Sequence, residues 1–101
     1  MKLFQRREYY QALECVAQGE QALLVHAWGG PSEHKCFHGA PEIGKLMDAD
    51  VERLIRMAKS LGVVRIVVCR KDQRGQHIDL VGRPLERGKR LCEQAQEKGL
   101  V

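Results

Sequence analysis

The sequence predicts one small α/β (α+β) domain with the element order α-β-α-β-β-α and a mixed three-stranded sheet packed by helices. At 101 residues and 44% apolar content, the chain is long enough for one domain with one core, spanning residues 1–101. Apolar residues recur at helical spacing in three stretches. A β-branched run, VVRIVVC at 63–69, is the strongest strand signal.

The first half of the chain predicts a helix, a strand and a long connection. Residues 4–18 carry apolar side chains on one helical face, and Gly19 is a plausible stop. Residues 21–28 (QALLVHAW) form an apolar run that ends at a Gly-Gly-Pro turn, which is typical of a strand. Residues 29–47 show no sustained periodicity, so we expect an irregular connection that is either functional or mobile.

The middle of the chain predicts a capped helix that leads into a central strand. Asp48 or Asp50 can cap the helix, whose apolar positions run to Leu61, and Gly62 ends it. The run Val63–Cys69 follows directly. A strand, helix, strand order predicts a right-handed crossover between parallel strands.

The last third predicts a hairpin strand and a terminal helix. Residues 71–75 read as a turn, and the alternating run Gln76–Val81 reads as an antiparallel strand. Pro84 suits the first turn of the last helix, and Gly99 is expected beyond its end.

The amino terminus and the cysteines predict a cytoplasmic protein. The start MKLFQRREYYQ has no apolar stretch after its basic residues, unlike a secretory signal, and no apolar run approaches bilayer length. Thiols stay reduced in the cytoplasm. We therefore interpret three cysteines as small buried hydrophobic residues: Cys15, Cys69 and Cys92. Because no apolar run could cross a bilayer, we expect no membrane partner.

Charge is unevenly distributed and predicts an anionic partner. Residues 1–50 hold 5 Lys/Arg against 7 Asp/Glu, whereas residues 51–101 hold 12 against 6, so the halves carry −2 and +6. The candidate ligand-binding cations lie in the hairpin turn and in a stripe on the last helix: Arg70, Lys71, Arg74, Arg83, Arg87 and Arg90. Such arginines suit nucleic acid or another phosphate-rich ligand, and an exposed Trp28 ring would stack on a base. The alternatives are a solvated face of mixed charge for the cations and core packing under the loop for Trp28.

The stretch EHKCFHG at 33–39 offers metal ligands. In an extended chain His34, Cys36 and His38 fall on one face, and imidazole with thiolate suits a divalent metal such as zinc. His77 or Asp79 could complete the set. The alternatives are a polar surface loop, or Cys36 as a nucleophile with a neighbouring histidine as base.

The strand HIDL at 77–80 predicts a second polar site. Ile78 and Leu80 share the core-facing side, so His77 and Asp79 lie together on the other side. A carboxylate beside an imidazole is the arrangement used in general base catalysis. With His38, these are the candidate catalytic residues; the alternatives are a solvent-facing strand edge or an Asp79 that caps a turn.

The same residues resemble a small family of bacterial and phage domains of unknown function. Members carry a tryptophan-bearing first strand, a Cys-His element, a helix that ends in Leu-Gly and a His-Tyr-Asp-Leu motif before a basic helix. Here these correspond to Trp28, Cys36-Phe37-His38, a helix at 50–61, and His77-Ile78-Asp79-Leu80, with Ile78 in place of the tyrosine. The resemblance covers residues 28 to about 95 and implies that His38, His77 and Asp79 are the positions to test first.

Three functional interpretations follow. The first is a module that binds nucleic acid or a phosphate-rich ligand through the basic half. The second is a hydrolase, metal-dependent or not, that uses the His/Cys/Asp cluster. The third is a regulatory module that acts through a protein partner. The sequence decides neither whether the protein is an enzyme nor its oligomeric state.

Overall fold

The computed structural model describes residues 1–32, 35 and 37–99, and it shows an α+β domain with a four-stranded mixed sheet. The strands are β1 (Lys2–Gln5), β2 (Ala22–Ala27), β3 (Glu42–Met47) and β4 (His77–Leu80), and the helices are α1 (Tyr9–Ala17), α2 (Val51–Ser60) and α3 (Arg83–Gly99). The sheet order is β1-β2-β3-β4; β1 runs parallel to β2, and the other two pairs are antiparallel. The α+β class is therefore confirmed, whereas the predicted three-stranded sheet and its element order are wrong.

Alternating side chains on β2 separate two apolar layers. Leu23 and Val25 face the cluster that contains α2 and α3, while Ala22 and Leu24 face the cluster that contains α1. The sheet is thus covered by helices on both faces, which is why β2 is buried through most of its length.

The first predicted helix begins later than expected. Residues 2–5 form β1, which pairs in parallel with β2, and one 3-10 turn at Arg6–Glu8 precedes α1. The predicted parallel pair of strands, at 21–28 and 63–69, does not form. The parallel pair is instead β1 and β2, which are joined by α1. Pairing with β2 accounts for the difference, because it supplies Phe4 with a sheet position that a helical pattern does not reveal.

The predicted irregular connection at 29–47 contains β3, which is paired along its whole length with β2. Gly44 interrupts its apolar pattern for a packing reason: a Cβ at this position would lie 2.5 Å from Leu85 Cδ1 and 3.1 Å from Leu23 Cδ1. The glycine lets α3 approach the sheet closely, at the cost of the alternation that identifies a strand.

Residues 62–69, here called the 62–69 segment, do not form the predicted central strand. Only Cys69 makes a backbone bridge, to His77, and the rest has no regular secondary structure. Val63, Ile66 and Val68 pack against the core, but Val64 is 98% exposed and Val67 is 50% exposed. The β-branched composition reflects this partial packing beside β4 rather than a place inside the sheet.

The predictions for α2 and α3 agree closely with the structure. Asp50 caps α2, because its Oδ1 accepts hydrogen bonds from the backbone N–H groups of Glu52 and Arg53, both at 3.1 Å. The last helix begins at Arg83 and extends through Gly99, which was expected to lie beyond its end. Among the described helices, none has the length and apolarity that a bilayer crossing requires.

Candidate metal centre

β4 places an imidazole and a carboxylate next to each other at the edge of the sheet. Ile78 and Leu80 are 1% exposed in the core, so His77 and Asp79 project from the opposite side of the strand. His77 Nε2 lies 3.5 Å from Asp79 Oδ1. The imidazole is nearly buried, whereas the carboxylate side chain is 31% exposed.

Cys69 joins this pair through the single bridge that the 62–69 segment makes with β4. Its backbone N–H donates to His77 O at 2.8 Å, and the His77 N–H donates to Cys69 O at 3.0 Å. Residues directly opposite in an antiparallel pair project from the same face. The bridge therefore brings Cys69 Sγ to 3.8 Å from Asp79 Oδ2.

The turn between Cys69 and β4 orients the imidazole. His77 Nδ1 lies 2.7 Å from Gly75 O, and because a carbonyl only accepts, Nδ1 carries the proton and donates. In the neutral ring the lone pair then lies on Nε2, which faces the carboxylate and the thiol. A ring nitrogen that donates to a carbonyl while the other nitrogen stays free is the arrangement found in histidine metal ligands.

Buried hydrogen bonds hold this turn against the rest of the sheet. Gln76 is 3% exposed, its Nε2 donates to Asp48 O at 2.8 Å, and its Oε1 accepts from the Asp72 N–H at 2.8 Å. Arg70 and Asp72 adopt positive φ angles of 55° and 64° within the turn. The amide of Gln76 therefore ties the turn to the junction of β3 and α2.

The three potential ligand atoms lie close together. One atom each from Cys69, His77 and Asp79 lie within 4.8 Å of one another. Tetrahedral zinc with ordinary bond lengths separates a nitrogen from an oxygen ligand by about 3.4 Å and a sulfur from an oxygen ligand by about 3.6 Å. His77 Nε2 lies 3.5 Å from Asp79 Oδ1 and Cys69 Sγ lies 3.8 Å from Asp79 Oδ2, so each distance is close to the zinc value but ends on a different carboxylate oxygen. The Asp79 side chain must turn to bring one oxygen to both partners.

The environment keeps the Cys69 thiol protonated when no metal is bound. Burial raises the pKa of the thiol above its ordinary value, the Asp79 carboxylate raises it further, and Lys45 opposes both effects weakly. A metal binds the thiolate, so it must displace this proton. Binding is therefore expected to release a proton and to tighten as the pH rises.

A cavity of about 710 Å³ adjoins the three residues. Cys69 and Asp79 line it, whereas His77 does not. Its other walls come from the 62–69 segment, the chain after β2 and the start of α3, and they are mostly apolar: Trp28, Pro31, Phe37, Ile43, Val63, Val64, Val67, Val81 and Pro84.

Of the predicted metal ligands at positions 34, 36 and 38, the structure describes one. His34 and Cys36 lie outside the described residues. His38 is exposed, its Nδ1 accepts a hydrogen bond from the Ser32 N–H at 3.2 Å, and it belongs to no metal-capable cluster within the part of the chain that the structure describes. Of the predicted catalytic residues, His77 and Asp79 are brought together.

Trp28 and Arg87 each donate a hydrogen bond to a backbone carbonyl, and the other predicted cations are exposed. The Trp28 indole N–H donates to Phe37 O at 2.9 Å, and the side chain is 41% exposed beside the cavity. Arg87 Nη1 donates to Leu61 O at 3.0 Å and so caps the end of α2. The remaining cations are exposed: Arg70, Lys71, Arg74, Arg83 and Arg90.

No family model, curated protein or solved structure matches the chain. The resemblance to the bacterial and phage domains therefore stays a prediction. Sequence reasoning missed Cys69 as a potential ligand, because it was interpreted as a buried hydrophobic residue. A hairpin in which Cys69 faces His77 across the intervening turn is the signal that would have identified it.

Proposed function

We propose that this domain binds a divalent transition metal, zinc by its donor chemistry, through Cys69, His77 and Asp79. The observation that carries the proposal is the mutual approach of the three ligand atoms to within 4.8 Å. The Gly75 carbonyl supports it, since this acceptor leaves the His77 Nε2 lone pair for a metal. A thiolate, an imidazole and a carboxylate together favour zinc over calcium or magnesium.

Among the described residues three potential protein ligands come together, and three protein ligands are typical of a catalytic metal site rather than of a closed structural one. Structural zinc sites use four protein ligands, whereas catalytic sites use three and leave a fourth position for water or substrate. Zinc lowers the pKa of bound water to about 7. The arrangement supports the hydrolase interpretation, with His77 and Asp79 as metal ligands rather than as a general base pair.

Metal content and cobalt spectroscopy test the proposal. The purified protein is expected to retain about one zinc per chain after dialysis, and cobalt substitution is expected to produce a thiolate charge-transfer band. Cys69→Ala should remove the band and lower zinc affinity at least a hundredfold, since loss of a residue that only holds a ligand in place already costs about 10–100-fold. Cys92→Ala is the matched control, because Cys92 is 1% exposed in the core and belongs to no such cluster among the described residues. Equal zinc retention in both variants would contradict the proposal.

A phosphate-rich ligand such as nucleic acid is the second candidate function. The turn cations Arg70, Lys71 and Arg74 are exposed, and none of them forms an ion pair with a carboxylate of the described chain. Cations that are free of internal partners can neutralise phosphates, and arginine matches phosphate geometry particularly well.

The salt dependence of oligonucleotide binding tests this candidate. The affinity for a fluorescent mixed-sequence oligonucleotide is expected to fall linearly with the logarithm of salt concentration. Replacing Arg70, Lys71 and Arg74 by glutamine should reduce that slope by about 2. The control replaces Arg6, Arg7 and Lys59, which are exposed elsewhere. Equal slopes for the two triple variants would remove the turn as the binding site.

A further inference from the structure

The cavity beside Cys69 and Asp79 has the properties of a small-molecule site. Its volume of about 710 Å³ falls within the range of about 300–1,000 Å³ that is typical of ligand pockets. Apolar side chains that line it are left in contact with water: Val64 is 98% exposed, Val67 is 50% exposed and Trp28 is 41% exposed. An apolar ligand would cover such surface, and this covering would drive binding.

The polar groups of the cavity define the other end of the ligand. Cys69 and Asp79 border it, so a metal held by them would lie at the wall of the cavity. Arg65 also lines the cavity, is exposed, and forms no ion pair with a described carboxylate. A guanidinium beside a metal favours a ligand whose polar end is anionic or becomes so on coordination.

We propose that this cavity is the substrate site of the metal centre and that it accepts small acyl compounds. The carboxylate or carbonyl of the ligand would reach the metal near Cys69 and Asp79, and its aliphatic or aromatic part would lie against Trp28 and Val67. This inference rests on the proposed metal function, because the metal supplies the contact for the polar end.

Hydroxamates of different chain length test the inference, since the head group chelates zinc and the chain samples the cavity. Acetohydroxamate and octanohydroxamate are titrated into the zinc-loaded protein by calorimetry. Each buried methylene contributes about fourfold in affinity, so burial of about three of the added methylenes gives a preference for octanohydroxamate of about fiftyfold. Zinc content is measured on the same samples.

Two variants locate the chain within the cavity. Val67→Asn places an amide on the cavity wall and should reduce the preference for octanohydroxamate about tenfold while zinc content is unchanged. Leu91→Asn is the matched control, because Leu91 is 39% exposed and does not line the cavity; it should leave the preference unchanged.

The outcomes separate the two proposals. Retained zinc with equal affinities for the two hydroxamates would overturn the acyl-substrate inference and leave the metal proposal standing. Retained zinc with a preference that Val67→Asn and Leu91→Asn reduce equally would overturn it as well. Loss of zinc on dialysis would overturn the metal proposal and, with it, the assignment of the polar end.

Discussion

Replacing Gln76 by alanine is expected to weaken both the fold and the metal centre. Its side-chain amide donates to Asp48 O at 2.8 Å and accepts from the Asp72 N–H at 2.8 Å. Loss of the amide leaves the buried Asp48 carbonyl without this donor, and an unsatisfied buried polar group costs about 1–3 kcal/mol. Asp72 is exposed, so water can replace the second bond. We therefore expect the free energy of unfolding to fall by about 1–3 kcal/mol.

The same substitution releases the turn that orients His77. Gly75 O, the acceptor for His77 Nδ1, lies in this turn immediately before Gln76. Loss of an outer-shell contact of this kind lowers metal affinity about 10–100-fold. Stability is measured by urea unfolding of the metal-free protein with circular dichroism, and zinc affinity is measured by competition with a chromophoric chelator.

Gln21→Ala is the matched control for Gln76→Ala. Gln21 is also buried, at 9% exposure; its amide donates at 3.5 Å to Arg53 O and also hydrogen-bonds the Asp48 carboxylate. We expect a comparable loss of stability, about 1–3 kcal/mol, but unchanged zinc affinity, because the hydrogen bonds of Gln21 go to Arg53 and Asp48 and not to the turn that orients His77. Equal effects of the two substitutions on zinc affinity would refute the assigned role of Gln76.

Three further outcomes are expected. Zinc at a hundredfold excess over its Kd should stabilise the protein by about 2.7 kcal/mol in a thermal shift assay, and Cys69→Ala should abolish the stabilisation; an equal shift in that variant would contradict the site. Burial would raise the pKa of Asp48, but hydrogen bonds from the Arg53 side chain and the Asp50 N–H outweigh burial and lower it, so the carboxylate form stabilises the fold. This stabilisation is complete above the unfolded pKa of about 3.9 and is lost as the pH falls through the lower folded pKa. Asp48→Asn should therefore reduce the dependence of the free energy of unfolding on pH in the acid range, measured by urea unfolding at several pH values. Parallel pH curves for the variant and the wild type would contradict this role of Asp48. Gly44→Ala should cost about 1–3 kcal/mol through overpacking against Leu85, and urea unfolding should show a smaller cost in a Leu85→Ala background than in the wild type.

Elements with strong local signals were predictable from the sequence. α2 has both an apolar face and a capping Asp50, and β4 shows the alternation of His77, Ile78, Asp79 and Leu80. In these elements the local pattern and the tertiary environment favour the same structure. The adjacency of His77 and Asp79 follows from this agreement, since period-two alternation alone puts them on one face.

Elements that depend on a distant partner were not predictable. β1 exists because it pairs with β2, and β3 has its pattern broken by Gly44, where α3 packs closely. The prediction for the 62–69 segment was wrong in the opposite sense, since a strand was predicted there and none forms. β propensity reports fit to a pleated surface and not the presence of a partner strand. Cys69 was missed for the same reason: its role depends on which residue it faces across the turn.

The wrong strand prediction and the candidate site have a common physical origin. Cys69 faces His77, so continued antiparallel pairing would place Val67 opposite Asp79. Residues opposite each other project from the same face, and the Val67 side chain would then cover the carboxylate. Because the segment leaves β4 after one bridge, Asp79 keeps 31% of its side-chain surface and borders the cavity. The departure from regular pairing is therefore what leaves the Asp79 carboxylate open to the cavity, and a candidate site arises where the local sequence rule fails.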